Sequence, residues 1–122
     1  MNSNGGITFK ATANFDSAAA KRKFSGAIHK AQMKLDAQVL ADSNYYVPLK
    51  TGVLQKSAIN NTVLGSGEVK WVTPYARAQY YGVDFDHSKQ FNPNACARWF
   101  EAAKARKMEQ WRKLVDDTIK NS

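Results

Sequence analysis

Between Ile7 and Asn14 the chain alternates: Ile7, Phe9, Ala11 and Ala13 are apolar, while Thr8, Lys10, Thr12 and Asn14 are polar. A period of two predicts an edge-type β-strand over about residues 6–14. The period then lengthens. Ala20, Phe24, Ala27, Ile28, Ala31, Leu35 and Val39 recur at steps of three and four, which predicts an amphipathic helix over 17–43 with Asp16 or Ser17 as its N-cap. The stripe is rich in alanine, so whatever packs on it can come close. Lys23, Lys30 and Lys34 fall on the opposite face. The helix is expected to end near Asp42-Ser43-Asn44, because Pro48 disfavours helical geometry at Val47. Thr51-Gly52 reads as a turn, with Thr51 capping a short helical turn through Val53, Leu54 and Gln55.

Two strand-like runs follow, 56–64 and 68–73, with Gly65-Ser66-Gly67 between them, a hairpin signal. Val69 and Trp71 share one face of the second run, Lys70 and Val72 the other. Thr73-Pro74 has the form of an N-cap followed by proline at the first helical position. It predicts a short helix through Tyr75 to Tyr80, ended by Gly82 in a left-handed conformation. Residues 83–91 read as an exposed loop. Asn92-Pro93 repeats the cap-plus-proline pattern and predicts a second long helix over 93–120, its inner stripe Cys96, Phe100, Ala103, Trp111, Leu114 and Val115. Glu109 with Lys113, and Asp116 with Lys120, stand four apart in the favourable order. Lys107 falls on the apolar face and must snorkel or break the stripe. Trp99 projects from the side of the stripe and is either a core edge or an interface anchor.

These elements predict an α+β domain: a small antiparallel β-sheet packed with two long α-helices, one short helix between them. Phe24, Ile28, Leu35, Phe100, Trp111 and Leu114 are its expected core. At 122 residues the chain is expected to be a single domain over 1–122, with residues 1–5 a flexible polar tail lacking an apolar secretion segment. No apolar run approaches the length of a membrane span.

Charge changes the picture more than composition does. The formal net charge is +8, which suits an anionic partner such as nucleic acid or an acidic protein ring, or serves solubility alone. The basic clusters Lys21-Arg22-Lys23 and Lys104, Arg106, Lys107, Arg112, Lys113 suit non-specific contact with DNA phosphates. Glu101, Glu109, Asp116 and Asp117 interrupt the second cluster, and no helix-turn-helix, zinc finger or RNA-binding aromatic motif is present.

Catalytic chemistry finds little support. Cys96 is the single cysteine; it excludes an intramolecular disulfide, suits a cytosolic site of synthesis, and reads as a small core residue. Asp84, Asp86 and His87 offer metal-ligand atoms but lack calcium-loop spacing and a fourth ligand. His29 reads as a boundary residue beside the first helix stripe. "LGSGEVK" resembles a phosphate loop only in its glycines. The acids are too scattered for a hydrolytic pair. No catalytic, cofactor-binding or metal site is assigned, and an enzyme is not expected.

Three stretches in order carry a family likeness: Val47-Pro48-Leu49-Lys50-Thr51-Gly52-Val53-Leu54-Gln55-Lys56-Ser57; then Pro74-Tyr75-Ala76 and Tyr81-Gly82; then Asn92 to Lys104, containing "RWFEAAK". The chain resembles the minor capsid or head–tail neck proteins of long-tailed bacteriophages, over about residues 17–120. Such proteins often carry a VP-x-x-TG-x-L-x-x-S turn after a first long helix. The resemblance implies a structural virion protein at the head–tail junction, a homo-oligomeric ring between the connector and the tail terminator. It implies a structural turn at Pro48, Thr51 and Gly52 that fixes how the helix projects. It also implies subunit contacts through Lys23, Lys30, Lys34, Tyr81, Asp84, Phe85 and Trp99. A basic DNA-binding accessory domain is the alternative.

Overall fold

A computed structural model describes residues 6–10, 25–48, 52–82 and 94–121. In chain order they form β1 (Ile7–Lys10), α1 (Ser25–Asn44), α2 (Val53–Asn61), β2 (Glu68–Trp71), α3 (Ala76–Tyr81) and α4 (Trp99–Lys120). This is an α+β fold, with a two-stranded antiparallel sheet and two long helices packed against each other. The expected strand residues 11–14, the helix residues 17–24 with Phe24 and the proposed N-cap, and the cap pair Asn92-Pro93 lie outside the described residues.

The alanine stripe of α1 does what its spacing predicts. Ala27, Ala31, Leu35 and Val39 are buried at successive steps of four, and Ile28 is half-buried. Small side chains let α4 lie close, and the Trp111 indole N–H reaches across to donate to Asp42 Oδ2 at 2.7 Å.

The hairpin expectation fails. The first of the two runs is helical: α2 covers Val53–Asn61, and Leu54, Ser57 and Ala58 are buried on one side of it. A spacing of three and four outweighs the strand-like composition of Ala58-Ile59-Asn60. The strand partner of β2 is instead β1, in the register Ile7↔Trp71, Thr8↔Lys70, Phe9↔Val69 and Lys10↔Glu68. Val69 and Trp71 are buried on one face as expected, and Val72 is exposed. The other edge of β2 is closed by α2 and the residue after it: Lys70 N–H donates to Thr62 Oγ1 and Val72 N–H to Ser57 Oγ, both at 3.1 Å. Two hydroxyls thus stand in for the missing strand and blunt the edge.

The sheet, α3 and the start of α4 meet in an aromatic cluster. Phe9 lies 4.8 Å from Tyr80 and 4.6 Å from Phe100, while Trp99 packs edge-on against Trp71 and Tyr80 at 5.7 and 4.8 Å between ring centres. Tyr80 is buried, and its hydroxyl donates to Glu101 Oε1 at 2.8 Å. Burial, reinforced by the Glu101 carboxylate, pushes the phenol well above the usual tyrosine range. The folded protein therefore keeps a proton that the unfolded chain loses above about pH 10. The stability tied to Tyr80 is present below that pH and declines as pH rises past it. Tyr80→Phe is expected to flatten the fall of the urea midpoint between about pH 9 and 11; an unchanged slope would show that Tyr80 does not govern it.

Helix boundaries depart from expectation at three places. The Thr73 hydroxyl does not cap α3; the Thr73 backbone carbonyl accepts Ala76 N–H at 3.3 Å instead, with Tyr75 at the N-cap position. Gly82 has φ −83°, not a left-handed conformation. The last helix begins at Trp99 rather than 93, because Cys96 N–H is given to Tyr46 O (3.0 Å) and Arg98 N–H to Tyr80 O (2.8 Å). Those two bonds stitch the segment between the end of α1 and α3 and deny it helical geometry. Arg98 then turns the chain into α4 with φ 54°. Cys96 accordingly lies before the helix and half-buried, not on its inner stripe, while Phe100 and Leu114 are only half-buried. On the outer face of α4 the ion pairs are Arg112–Glu109 (3.2 Å) and Lys113–Asp117 (2.9 Å), in place of the two expected ones. Lys107 is half-buried, in keeping with a snorkelling stem.

Candidate assembly surface

The turn after α1 is locked by side chains rather than by the proline alone. Gln55 Nε2 donates to the backbone carbonyls of Asn44 (3.0 Å) and Val47 (3.2 Å), and Asn44 Nδ2 donates back to Gln55 O at 3.3 Å. Asn44 Oδ1 in turn accepts the Trp71 indole N–H at 3.0 Å. One asparagine therefore ties the end of α1, the first turn of α2 and β2. Val47 and Pro48 are buried beneath this clamp. Gly52 opens α2 with φ 78° and ψ −5°, a left-handed state that costs an L-residue about 1–2 kcal/mol. Gly52→Val is expected to lower stability by at least that amount, and Gly52→Asn by less, as read by urea unfolding; equal effects would remove the backbone argument. Thr51 lies outside the described residues.

A second clamp joins α1 to the turn before β2. Asp36 is fully buried. Its Oδ2 accepts Gly65 N–H at 2.8 Å and Gly67 N–H at 3.0 Å, and its Oδ1 accepts Gln32 Nε2 at 2.8 Å. Gly65 has φ 98°, and a Cβ there would stand 2.5 Å from His29 Cε1 and 3.1 Å from Met33 Cγ. The turn is thus seated directly on α1. Val63 and Leu64, just before this turn, are exposed, as is Met33.

Lys30 and Lys34 flank Met33 on the exposed face of α1. The two acids of α1 do not offset them, because Asp36 is bonded to the glycine turn and Asp42 to Trp111 and Gln38. Tyr81 is 51% exposed, with the Arg98 guanidinium 5.2 Å over its ring and paired to Glu101 at 3.5 Å. Trp99 is 0% exposed; of its two readings, core and interface anchor, the structure places it in the core. Lys23, Asp84 and Phe85 lie outside the described residues. Asp36, Asn44 and Gln55, which hold the surface together, were not singled out from the sequence. The available signal was an aspartate and a glutamine four apart on the buried side of a helix.

A family profile described as minor capsid protein matches residues 10–118. The chain belongs to the minor capsid protein family. The match runs from the end of β1 to the last turn of α4, so both clamps and all of the aromatic cluster but Phe9 lie within it. No curated protein and no solved structure matches the chain. Family membership makes this a structural protein of the bacteriophage virion. Among the described residues of this minor capsid protein, no cluster of three His, Cys, Asp or Glu side chains is placed to hold a metal. None of its described helices is long and apolar enough to cross a membrane.

Proposed function

We propose that this minor capsid protein acts at the head–tail junction, as a subunit of a homo-oligomeric ring that contacts the connector on one side and the tail terminator on the other. The clamped turn between α1 and α2 carries this reading. Left-handed Gly52, buried Pro48 and the Asn44–Gln55 exchange fix the angle at which α1 leaves the body. A ring subunit needs a fixed angle, because a small error repeats at every interface and prevents closure. The +8 charge and the lysines of α1 supply steering toward an acidic neighbour.

Complementation of neck-defective particles in vitro tests the reading. Wild-type protein is expected to restore joining of heads to tails. Lys23→Glu/Lys30→Glu/Lys34→Glu is expected to slow joining by about tenfold at low salt, because surface charges govern encounter rates. Failure of wild-type protein to enter such particles would end the junction assignment. The second reading, contact with DNA, is favoured by the same uncompensated lysines. It predicts binding to random duplex DNA that weakens steeply with salt.

A further inference from the structure

The start of α4 breaks two local rules at once. Among the described residues Arg98 is the only one besides glycine with a positive φ, 54° with ψ 48°, and its Cβ makes that left-handed state costly. It also stands at the N-cap position, where no side chain bonds to the helix and where arginine has no acceptor atom to offer the first amides. Four residues earlier the chain holds a better start. Asn94 is of a type preferred at the N-cap, and Ala95, Ala97 and Arg98, which follow it, are strong helix formers.

Two backbone hydrogen bonds hold the observed state: Cys96 N–H to Tyr46 O at 3.0 Å and Arg98 N–H to Tyr80 O at 2.8 Å. At the surface the Arg98 guanidinium adds its contacts with Tyr81 and Glu101. Little apolar surface opposes release, because the side chains lifted are buried Ala95, half-buried Cys96 and half-buried Ala97. A turn of helix in place of this segment relieves the Arg98 backbone. It also gives the amides of Trp99, Phe100 and Glu101 the carbonyls of residues 95–97. A few bonds are exchanged for a few bonds, the condition for an element with two states.

We propose that α4 extends backwards by one turn, through Ala95–Arg98 with Asn94 as its cap, when the subunit joins its neighbours in the ring. This deepens the ring reading and rests on it. Four more residues lengthen the helix by about 6 Å. A neighbour favours the longer form through contacts with that added turn or with the Tyr46 and Tyr80 carbonyls that it releases, since only differential contacts shift such an equilibrium.

The test uses the position of Cys96 inside the switching segment. It is the chain's single cysteine, so carbon-13 cysteine gives one Cα–Cβ signal whose shift reports helical or non-helical backbone. The signal is read by solution NMR of the free protein and by magic-angle-spinning NMR of assembled virions. A non-helical shift is expected in the free protein and a helical one in virions. Arg98→Gly removes the left-handed penalty and disfavours helix, whereas Arg98→Ala keeps the penalty and favours helix. In the free protein, the helical fraction of Arg98→Ala, measured by relaxation dispersion, is expected to exceed that of Arg98→Gly by about tenfold or more. Arg98→Gly is expected to unfold at a urea concentration close to wild type, yet to join heads to tails about tenfold more slowly. Arg98→Ala, which lacks the same side chain, is expected to join at least as fast as wild type; a merely structural role for the arginine would slow both. A non-helical Cys96 in virions, equal helical fractions in the two variants, equal slowing of both, or wild-type joining by Arg98→Gly would each overturn the proposal. A helical Cys96 in virions that carry the protein away from the junction would keep the switch and remove the junction assignment. A ring at the junction with an unchanged Cys96 signal would do the reverse.

Discussion

Trp99→Ala is expected to destabilise the protein by about 3–5 kcal/mol, the loss typical of a large aromatic removed from a packed core. Trp99 is fully buried, and its ring is held edge-on between Trp71 and Tyr80. Those contacts join the start of α4 to the sheet and to α3, so the cavity would open where three elements meet and little could collapse into it. With a urea dependence of roughly 2 kcal/mol per molar, the midpoint should fall by about 2 M. Two comparisons sharpen the expectation. Phe100→Ala should cost only about half as much, because Phe100 is half-buried. Trp99→Phe should cost less than the alanine change by more than volume alone predicts. The Trp99 indole N–H is buried and has no acceptor among the described residues, and removing an unsatisfied donor recovers part of its desolvation cost, about 1–3 kcal/mol. A Trp99→Ala midpoint close to wild type would place Trp99 outside the core and reopen its reading as an interface anchor.

The parts of the fold legible in the sequence are those in which one residue type repeats at one spacing. The α1 stripe, the alternation of Ile7 and Phe9 and that of Val69 and Trp71 each write their period directly into the chain. The misjudged parts depend on partners distant in sequence. Residues 56–61 look strand-like locally, but their buried side is defined by β2, whose edge Ser57 and Thr62 close. The delayed start of α4 depends on Tyr46 and Tyr80, far upstream, taking the amides of Cys96 and Arg98. Likewise Trp99 and Phe100 are neighbours, and only the Arg98 turn decides which ring enters the core. The exposed face of α1 was legible in its charges, since Lys30 and Lys34 are exposed as their spacing predicts. Its supporting hydrogen bonds were not, because nothing in the sequence alone says that Asp36 faces a turn formed 29 residues later.

That aspartate is the site of the second large expected effect. Glycine turns often bind anions, because successive backbone N–H groups around a left-handed residue form a cradle for an oxyanion. The Gly65-Ser66-Gly67 turn does hold an oxyanion: the carboxylate of the chain's own Asp36, which takes both glycine amides on Oδ2. Its likeness to a phosphate loop is therefore a likeness of backbone, with the ligand supplied internally. Asp36→Ala strands Gly65 N–H and Gly67 N–H together. Hydrogen bonds to a charged group contribute about 1.5–3 kcal/mol each, and a buried donor left alone costs its desolvation as well. The expected loss is about 3–5 kcal/mol, with amide exchange at Gly65 and Gly67 accelerating more than elsewhere in the core. Asp36→Asn keeps one oxygen for the glycine amides and turns its NH2 toward Gln32, which can present its own oxygen by an amide flip. It should recover more than half of the loss. Because exposed Val63 and Leu64 lead into this turn, the proposed assembly role predicts that Asp36→Ala weakens joining even where the folded population is still high. If stability falls as expected while assembly of the folded fraction is unchanged, Val63 and Leu64 have no part in the proposed subunit contact.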